Sequence, residues 1–335
     1  MLSKNVQWLA LLMMVCAMGL FAYSRNTPNH PHFLSETQHP AKQAQTSIST
    51  AVAAEALYSN SGIRQPSLFF DHIEKQVDCE ALWQNRTIDA QMQSAEPPRE
   101  IPLGLLDAFT YQGSVPVVPY NQLFNQRYLG GKAFQNVWTL ADVESKRQEC
   151  TNGVLSGNYG SGETAFLRSG LQQVPESARG NALVIGSENP WVEACMLSVG
   201  VRNITTLEYG EIVSQHPQIA TVTPTGMYGH MADWMGHFDL VVSFSSVEHV
   251  GLGRYGDTMN PYGDRQAIAR AWCATKPGGY LVLGVPTGPA DRIEYNAHRV
   301  YGPIMYPHLV TNWEQVWRAP GGEQVVHVLQ KPSSR

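Results

Sequence analysis

From residue 176 onward the sequence predicts an α/β fold built on a doubly wound, mostly parallel sheet, preceded by an N-terminal extension and a membrane anchor. Three observations carry this prediction. Short apolar runs alternate with helical segments, as strand and helix do when both faces of a sheet are covered. The first run ends in a glycine turn closed by a proline that suits a helix start. A carboxylate, Glu208, closes the second run 22 residues after that glycine.

The chain opens with a four-residue tail, 1–4, and then an uncharged stretch, 5–24, in which Val6 to Tyr23 is dense in Leu, Met, Ala, Val and Phe. As a helix rising ~1.5 Å per residue, such a stretch spans a ~30 Å hydrocarbon layer. Lys4 on one side and Arg25 on the other favour a cytoplasmic N-terminus, which places the body in a Golgi or ER lumen. A cleaved signal peptide is the competing reading, because Ala22-Tyr23-Ser24 has small residues where a signal peptidase reads, and the product is then secreted. Both readings put the body in the secretory pathway, with which the sequons at Asn85 and Asn203 agree. Residues 25–65 are rich in Pro, Gln, Ser, Thr, Asn and His and read as a flexible stem, with only Ala51 to Tyr58 helical.

Residues 66–175 form an extension whose fold the sequence leaves unassigned, with Pro-rich turns and a Gly-rich piece from Ser156 to Gly162. Residues 176–331 are regular. Ala182 to Ile185 reads as a strand, Trp191 to Val199 as a helix, Ile204 to Leu207 as a β-branched strand and His237 to Phe244 as a longer buried strand. Asp264 to Ala274 is an amphipathic helix, Gly279 to Val285 a strand after a Lys-Pro-Gly-Gly turn, and Val325 to Leu329 a late edge strand.

Composition removes several functions. With 23 Lys and Arg against 28 Asp and Glu, the net charge of −5 offers no basic surface for nucleic acid. At 43% hydrophobic and 15% charged residues, most of the chain folds. Five Cys without a Cys-x-x-Cys pair build neither a disulfide scaffold nor a structural zinc site. Cys79 and Cys150 are expected to pair with each other in an oxidising lumen, while Cys195 and Cys273 read as buried thiols on helices and Cys16 lies in the apolar run.

Ligands of doubly wound sheets lie at the carboxyl ends of the strands, where strand order reverses. Gly186 and Ser187 after the first strand, Glu208 after the second and Ser245 after the third are therefore the candidate cofactor-binding residues. Glu208 has the spacing of a carboxylate that grips both hydroxyls of a ribose, although an ordinary acidic strand end reads the same way. The turn Gly186-Ser-Glu-Asn-Pro190 lacks the glycine pattern that cradles a pyrophosphate, which disfavours a dinucleotide and leaves a nucleoside-type cofactor such as S-adenosylmethionine.

Ala182-Leu-Val-Ile-Gly186, Glu208, Phe238-Asp-Leu-Val-Val-Ser-Phe-Ser-Ser-Val-Glu-His-Val250 and Lys276-Pro-Gly-Gly-Tyr-Leu-Val-Leu283 resemble the Rossmann-like class I S-adenosylmethionine-dependent methyltransferases. More narrowly, Ile185 to Ala194, Thr206 to Gly210, Ser245 to Asp257 and Asn296 to Pro303 resemble a domain-of-unknown-function family first described from nematode proteins. The likeness covers roughly residues 100 to 320 and implies a methyltransferase-like fold without an established substrate. The chain departs from the superfamily at its first turn, where alternating glycines are replaced.

Methyl transfer from a sulfonium needs alignment and, for a hydroxyl acceptor, removal of a proton. His249 is the first candidate base and Asp257 the second, in a loop punctuated by Gly251, Gly253, Gly256 and Gly263; His249 reads equally well as part of a helix start. Arg254 suits an acidic acceptor or a surface ion pair. Asp257, Asn260 and Asp264 carry oxygen donors but match no metal loop, so no metal is expected. Asp239 reads as stabilising a strand start, and Asp233 either meets an adenine amino group or sits in solvent. His298, Arg299, Tyr301 and Tyr306 suit a sugar or acidic acceptor, or pack the last helix.

Three functions remain in view: a membrane-anchored methyltransferase acting on a small-molecule or glycan hydroxyl, an inactive binding or scaffold protein of the same fold, and, last, a type II glycosyltransferase. No Asp-x-Asp triplet occurs in the chain to hold a nucleotide-sugar metal.

Overall fold

The computed structural model describes residues 77, 79–84, 97–119, 136–255, 257–319 and 324–333. The expected anchor, the stem, the Ala51 to Tyr58 helix and the Asn85 sequon lie outside them. Among the described residues no helix is long and apolar enough to cross a membrane.

The extension contributes α1 (Cys79–Gln84), α2 (Leu103–Thr110), β1 (Val117–Pro119), β2 (Asn136–Trp138), α3 (Leu140–Asn152) and α4 (Ser161–Gln173). The ends of α3 follow from local chemistry. Thr139 Oγ1 accepts the Asp142 N–H at the start, and Gly153 takes the left-handed conformation at the end. The Gly-rich piece is the turn before α4. A side chain at Gly157, whose φ is +56°, would meet the Trp191 ring at 2.7 Å, so only glycine lets this turn lie on that indole.

The α/β body follows with β3 (Asn181–Ile185), α5 (Trp191–Ser198), β4 (Asn203–Leu207), β5 (Ile212–Ser214), β6 (Ile219–Val222), α6 (Pro224–Met227), α7 (Met231–Trp234), β7 (Phe238–Phe244), α8 (Gly263–Ala274), β8 (Thr275–Pro286), β9 (Arg292–Tyr295), β10 (His298–Val300), α9 (Met305–Leu309), β11 (Glu314–Arg318) and β12 (Gln324–Gln330). Seven of these strands form one sheet in the order β11-β12-β8-β7-β3-β4-β6. β12 runs antiparallel to both neighbours and every other strand is parallel. β1, β9 and β10 form a small second sheet, and β2 pairs with β5.

The central strands are apolar throughout because both faces are covered. Ala182, Val184, Leu240 and Val242 point into one core layer, and Leu183 and Val241 into the other. Helix α8, expected to be amphipathic, is buried along its whole length except for half-buried Ala267, since α1 and the segment after β7 cover its outer face.

Three expectations are corrected. The Lys276-Pro-Gly-Gly stretch lies inside β8 rather than before it, as an irregularity in pairing with β7, and Gly278 there is held by its N–H to Lys331 O. The Val325 to Leu329 strand is inside the sheet; β11 forms the edge. The cysteines pair as Cys79–Cys273 and Cys150–Cys195, so neither helix cysteine is a free thiol. The reason is that α1 packs into the layer holding Cys273 and α3 into the opposite layer holding Cys195. The sheet stands between Cys79 and Cys150.

Candidate functional site

The chain leaves β3 for β4 and β6 on one side and returns to β7 on the other, so strand order reverses between β3 and β7. The crevice above their carboxyl ends is the place where such sheets bind ligands. Gly186 follows β3 with φ +76°, and a Cβ there would lie 1.9 Å from Ser246 Oγ after β7. Glycine is what allows the two strand ends to approach.

Glu208, at the end of β4, is buried beside this turn. Its Oε2 accepts the Ser187 N–H at 2.7 Å and its Oε1 the Tyr209 N–H at 2.6 Å, which fixes the carboxylate beside the crevice. Ser187 Oγ in turn donates to Glu193 Oε2 at 2.9 Å, and Thr206 Oγ1 donates to Glu193 Oε1 at 2.8 Å. Glu193 is fully buried on α5, and burial pushes its carboxyl up to about 7. The replaced glycine pattern is thus a hydrogen-bonded turn in which Ser187 links two carboxyl groups. Sequence reading passed over Glu193, although it is the sole charged residue in the apolar run Trp191 to Leu197.

At the end of β7, Ser245 has φ +50°, a left-handed conformation unusual for serine. Its Oγ donates to Glu248 Oε1 at 2.7 Å and accepts from Gln324 Nε2 at 3.0 Å. His249 follows in the turn Val247–His249, and its Nδ1 lies 2.6 Å from Ala297 O. Only a protonated Nδ1 can bond a carbonyl, so Nε2 carries the lone pair. Burial pulls the imidazole down to about 4, which keeps it neutral at physiological pH.

Two adjoining cavities meet here. One, about 110 Å³, is walled by Trp83, Leu207, Pro224, Met227 and Trp234. The other, about 220 Å³, carries Asn158, Tyr159, Trp191, Ser245, His249 and Tyr255. Gly186, Glu208, Ser246 and Asp257 line both, so the Glu208 carboxylate stands where the apolar hollow passes into the polar one. Ser187 lines the polar cavity.

Asp257, the second candidate base, lines both cavities and is held by backbone N–H groups. Its Oδ2 accepts the N–H groups of Gly251 at 2.6 Å and Gly253 at 3.4 Å, and its Oδ1 that of Tyr255 at 3.2 Å. Its lone pairs fold the loop that covers the crevice. Asn260 lines the apolar cavity and binds Gln266, while Asp264 is buried against Tyr301 Oη at 2.9 Å and Arg299 Nε at 3.6 Å. Among the described residues no group of three or more His, Cys, Asp or Glu could hold a metal. Arg254 lies over the Tyr255 ring. Asp239 anchors the strand start, accepting the Asn181 N–H at 2.8 Å and Lys276 at 2.6 Å, and Asp233 is exposed.

The cluster at 298–306 is packing rather than acceptor recognition. Arg299 is buried and donates to the carbonyls of Glu248, Val250 and Asn260, tying β10 to the covering loop. Tyr306 bonds Gln315 and His327 away from the crevice, and His298 faces Glu294 at 3.5 Å.

Residues 179–329 match the DUF268 family model. Its description is a Caenorhabditis protein of unknown function. The DUF268 match runs from just before β3 into β12 and includes Gly186, Glu193, Glu208, Glu248 and His249. No curated protein matches the chain. Among solved structures, the CurJ carbon methyltransferase is 11% identical, with 88% of this chain and 94% of that chain covered, at a TM-score of 0.39. The N-methyltransferase NodS from Bradyrhizobium japonicum WM9 is 16% identical, covering 49% and 94%, at 0.30. A SAM-dependent methyltransferase from Methanosarcina mazei is 14% identical, covering 45% and 92%, at 0.32. The chain itself has an α/β fold built on a mostly parallel sheet.

Proposed function

We propose that the protein is an S-adenosylmethionine-dependent methyltransferase of the secretory pathway whose acceptor is a hydroxyl group, such as that of a glycan. The observation that carries this reading is the Glu208 carboxylate, buried at the strand-order reversal on the shared wall of an apolar cavity and a more polar one. The donor set fits the cofactor. Glu208 accepts the ribose hydroxyls, and Trp83, Met227 and Trp234 offer a dry slot for a flat base.

S-adenosylmethionine, when bound, supplies an activated methyl group. The chain's own residues align the acceptor and manage its proton. Tyr159, Trp191 and Tyr255 present aromatic surface in the polar cavity, which suits the apolar face of a sugar ring. His249 lines the same cavity, and its unprotonated Nε2 is the nitrogen able to accept the hydroxyl proton. Two disulfides on opposite faces of the sheet support an oxidising compartment, in agreement with the apolar run at 5–24.

Calorimetry of the full chain with S-adenosylmethionine tests the reading. Binding is expected, and Glu208→Ala is expected to weaken it at least ten-fold, about 1.4 kcal/mol. No heat with the unaltered chain, or equal affinity in the variant, overturns it.

A further inference from the structure

Glu248 is buried completely, and its neighbours come from separate parts of the chain. Ser245, at the end of β7, donates to Oε1 at 2.7 Å, and Gln324, on β12, reaches the same oxygen at 3.4 Å. Oε2 is buried without a hydrogen-bond partner. A fold tolerates an orphaned carboxyl oxygen at a cost, and such groups concentrate where a proton is handled. The nearest titratable nitrogen is His249 Nε2, 3.7 Å from Oε1.

We infer that Glu248 is a positioning residue acting through His249, its carboxyl group facing the imidazole nitrogen that removes the acceptor proton and balancing the charge created there. The inference rests on the proposed methyl transfer to a hydroxyl. In that step the acceptor O–H bond breaks and its oxygen bonds the methyl carbon as the carbon–sulfur bond of the sulfonium breaks. The proton goes to His249 Nε2, while Nδ1–H stays on Ala297 O. The resulting imidazolium lies in a buried site, where an unpaired cation is costly and a carboxylate alongside offsets that cost.

Burial pushes the Glu248 carboxyl up to about 7 and pulls His249 down to about 4, so both are neutral in slightly acidic solution and Glu248 ionises near pH 7. The other charged and titratable groups facing the pair are His298 and Arg299 from β10, Arg254, Tyr255 and Asp257 from the covering loop, Tyr159 from the turn before α4, and Tyr301 beyond β10.

The test is a ring-nitrogen NMR titration of the full chain labelled with ¹⁵N-histidine, with His249→Gln used to assign the signal. In the unaltered chain the His249 nitrogens are expected to report the Nδ1–H tautomer and to shift in two steps, one of them near pH 7. Glu248→Gln is expected to abolish the step near pH 7 and leave the His327 signal in place; Glu248→Asp, which keeps a carboxyl group, retains a displaced step. An unchanged His249 titration in Glu248→Gln, or an Nε2–H tautomer in the unaltered chain, overturns the inference. Calorimetry with S-adenosylmethionine on the same samples separates the two ideas. Loss of binding in the unaltered chain sinks methyl transfer, whereas normal binding with an indifferent His249 sinks only the role of Glu248.

Discussion

Gly186 shows how a single residue sets the site. Its positive φ and the 1.9 Å approach of a built Cβ to Ser246 Oγ leave no room for a side chain between the two strand ends. Gly186→Ala is expected to destabilise the chain by roughly 2 kcal/mol in urea unfolding, since an αL alanine and an overpacked contact add. A variant as stable as the parent removes the argument. Glu193 and Glu248 differ from Gly186 in being charge-bearing groups that the fold has taken out of water. A carboxyl whose folded value is raised stabilises below its unfolded value of 4.5 and loses that contribution as pH rises through about 7. Glu248→Gln cannot titrate, so its stability relative to the parent is expected to rise by about 1.4 kcal/mol per pH unit between these limits. A difference that stays constant with pH contradicts the burial argument.

At the scale of elements, the extension is fastened to the α/β body from both sides. Helix α1 sits on α8 through Cys79–Cys273 and brings Trp83 to the apolar cavity, where it meets Trp234 edge-on at 6.5 Å. Helix α3 sits on α5 through Cys150–Cys195, 45 residues apart in sequence. Replacing Cys150 and Cys195 together with Ala is expected to cost about 2–5 kcal/mol by urea unfolding. Peptide mapping without reductant is expected to recover 79 joined to 273 and 150 joined to 195; linkage of 79 to 150 contradicts the packing of α1 and α3 on opposite layers.

Over the whole molecule, buried carboxyls and buried imidazoles oppose one another. His249 and His327, pulled by burial to about 4 and about 3, contribute stability that is present above 6.5 and is lost as pH falls through those values. Glu193 and Glu248 lose theirs as pH rises toward about 7. Between 4.5 and 6.5 the four contributions cancel in slope, so the thermal midpoint is expected to be nearly level there and to fall on both sides. A midpoint that climbs steadily through this window shows that other groups dominate.

The sequence by itself determined five of the seven strands of the main sheet and the turns that end them. Continuous apolar runs, a glycine turn and an acidic strand end are local patterns, and Ala182 to Ile185, Ile204 to Leu207, Gly186 and Glu208 all stand where those patterns place them. What the tertiary structure alone decided involves partners distant in the chain. Which cysteines pair depends on which side of the sheet α1 and α3 settle. That Asp257 is the hub of a loop depends on three N–H groups that converge on it only after folding. Glu248 becomes a buried carboxyl facing an imidazole because Gln324, Ser245 and Ala297 close around the pair. Burial and long-range proximity set the protonation of a group, and neither is a property of neighbours in sequence.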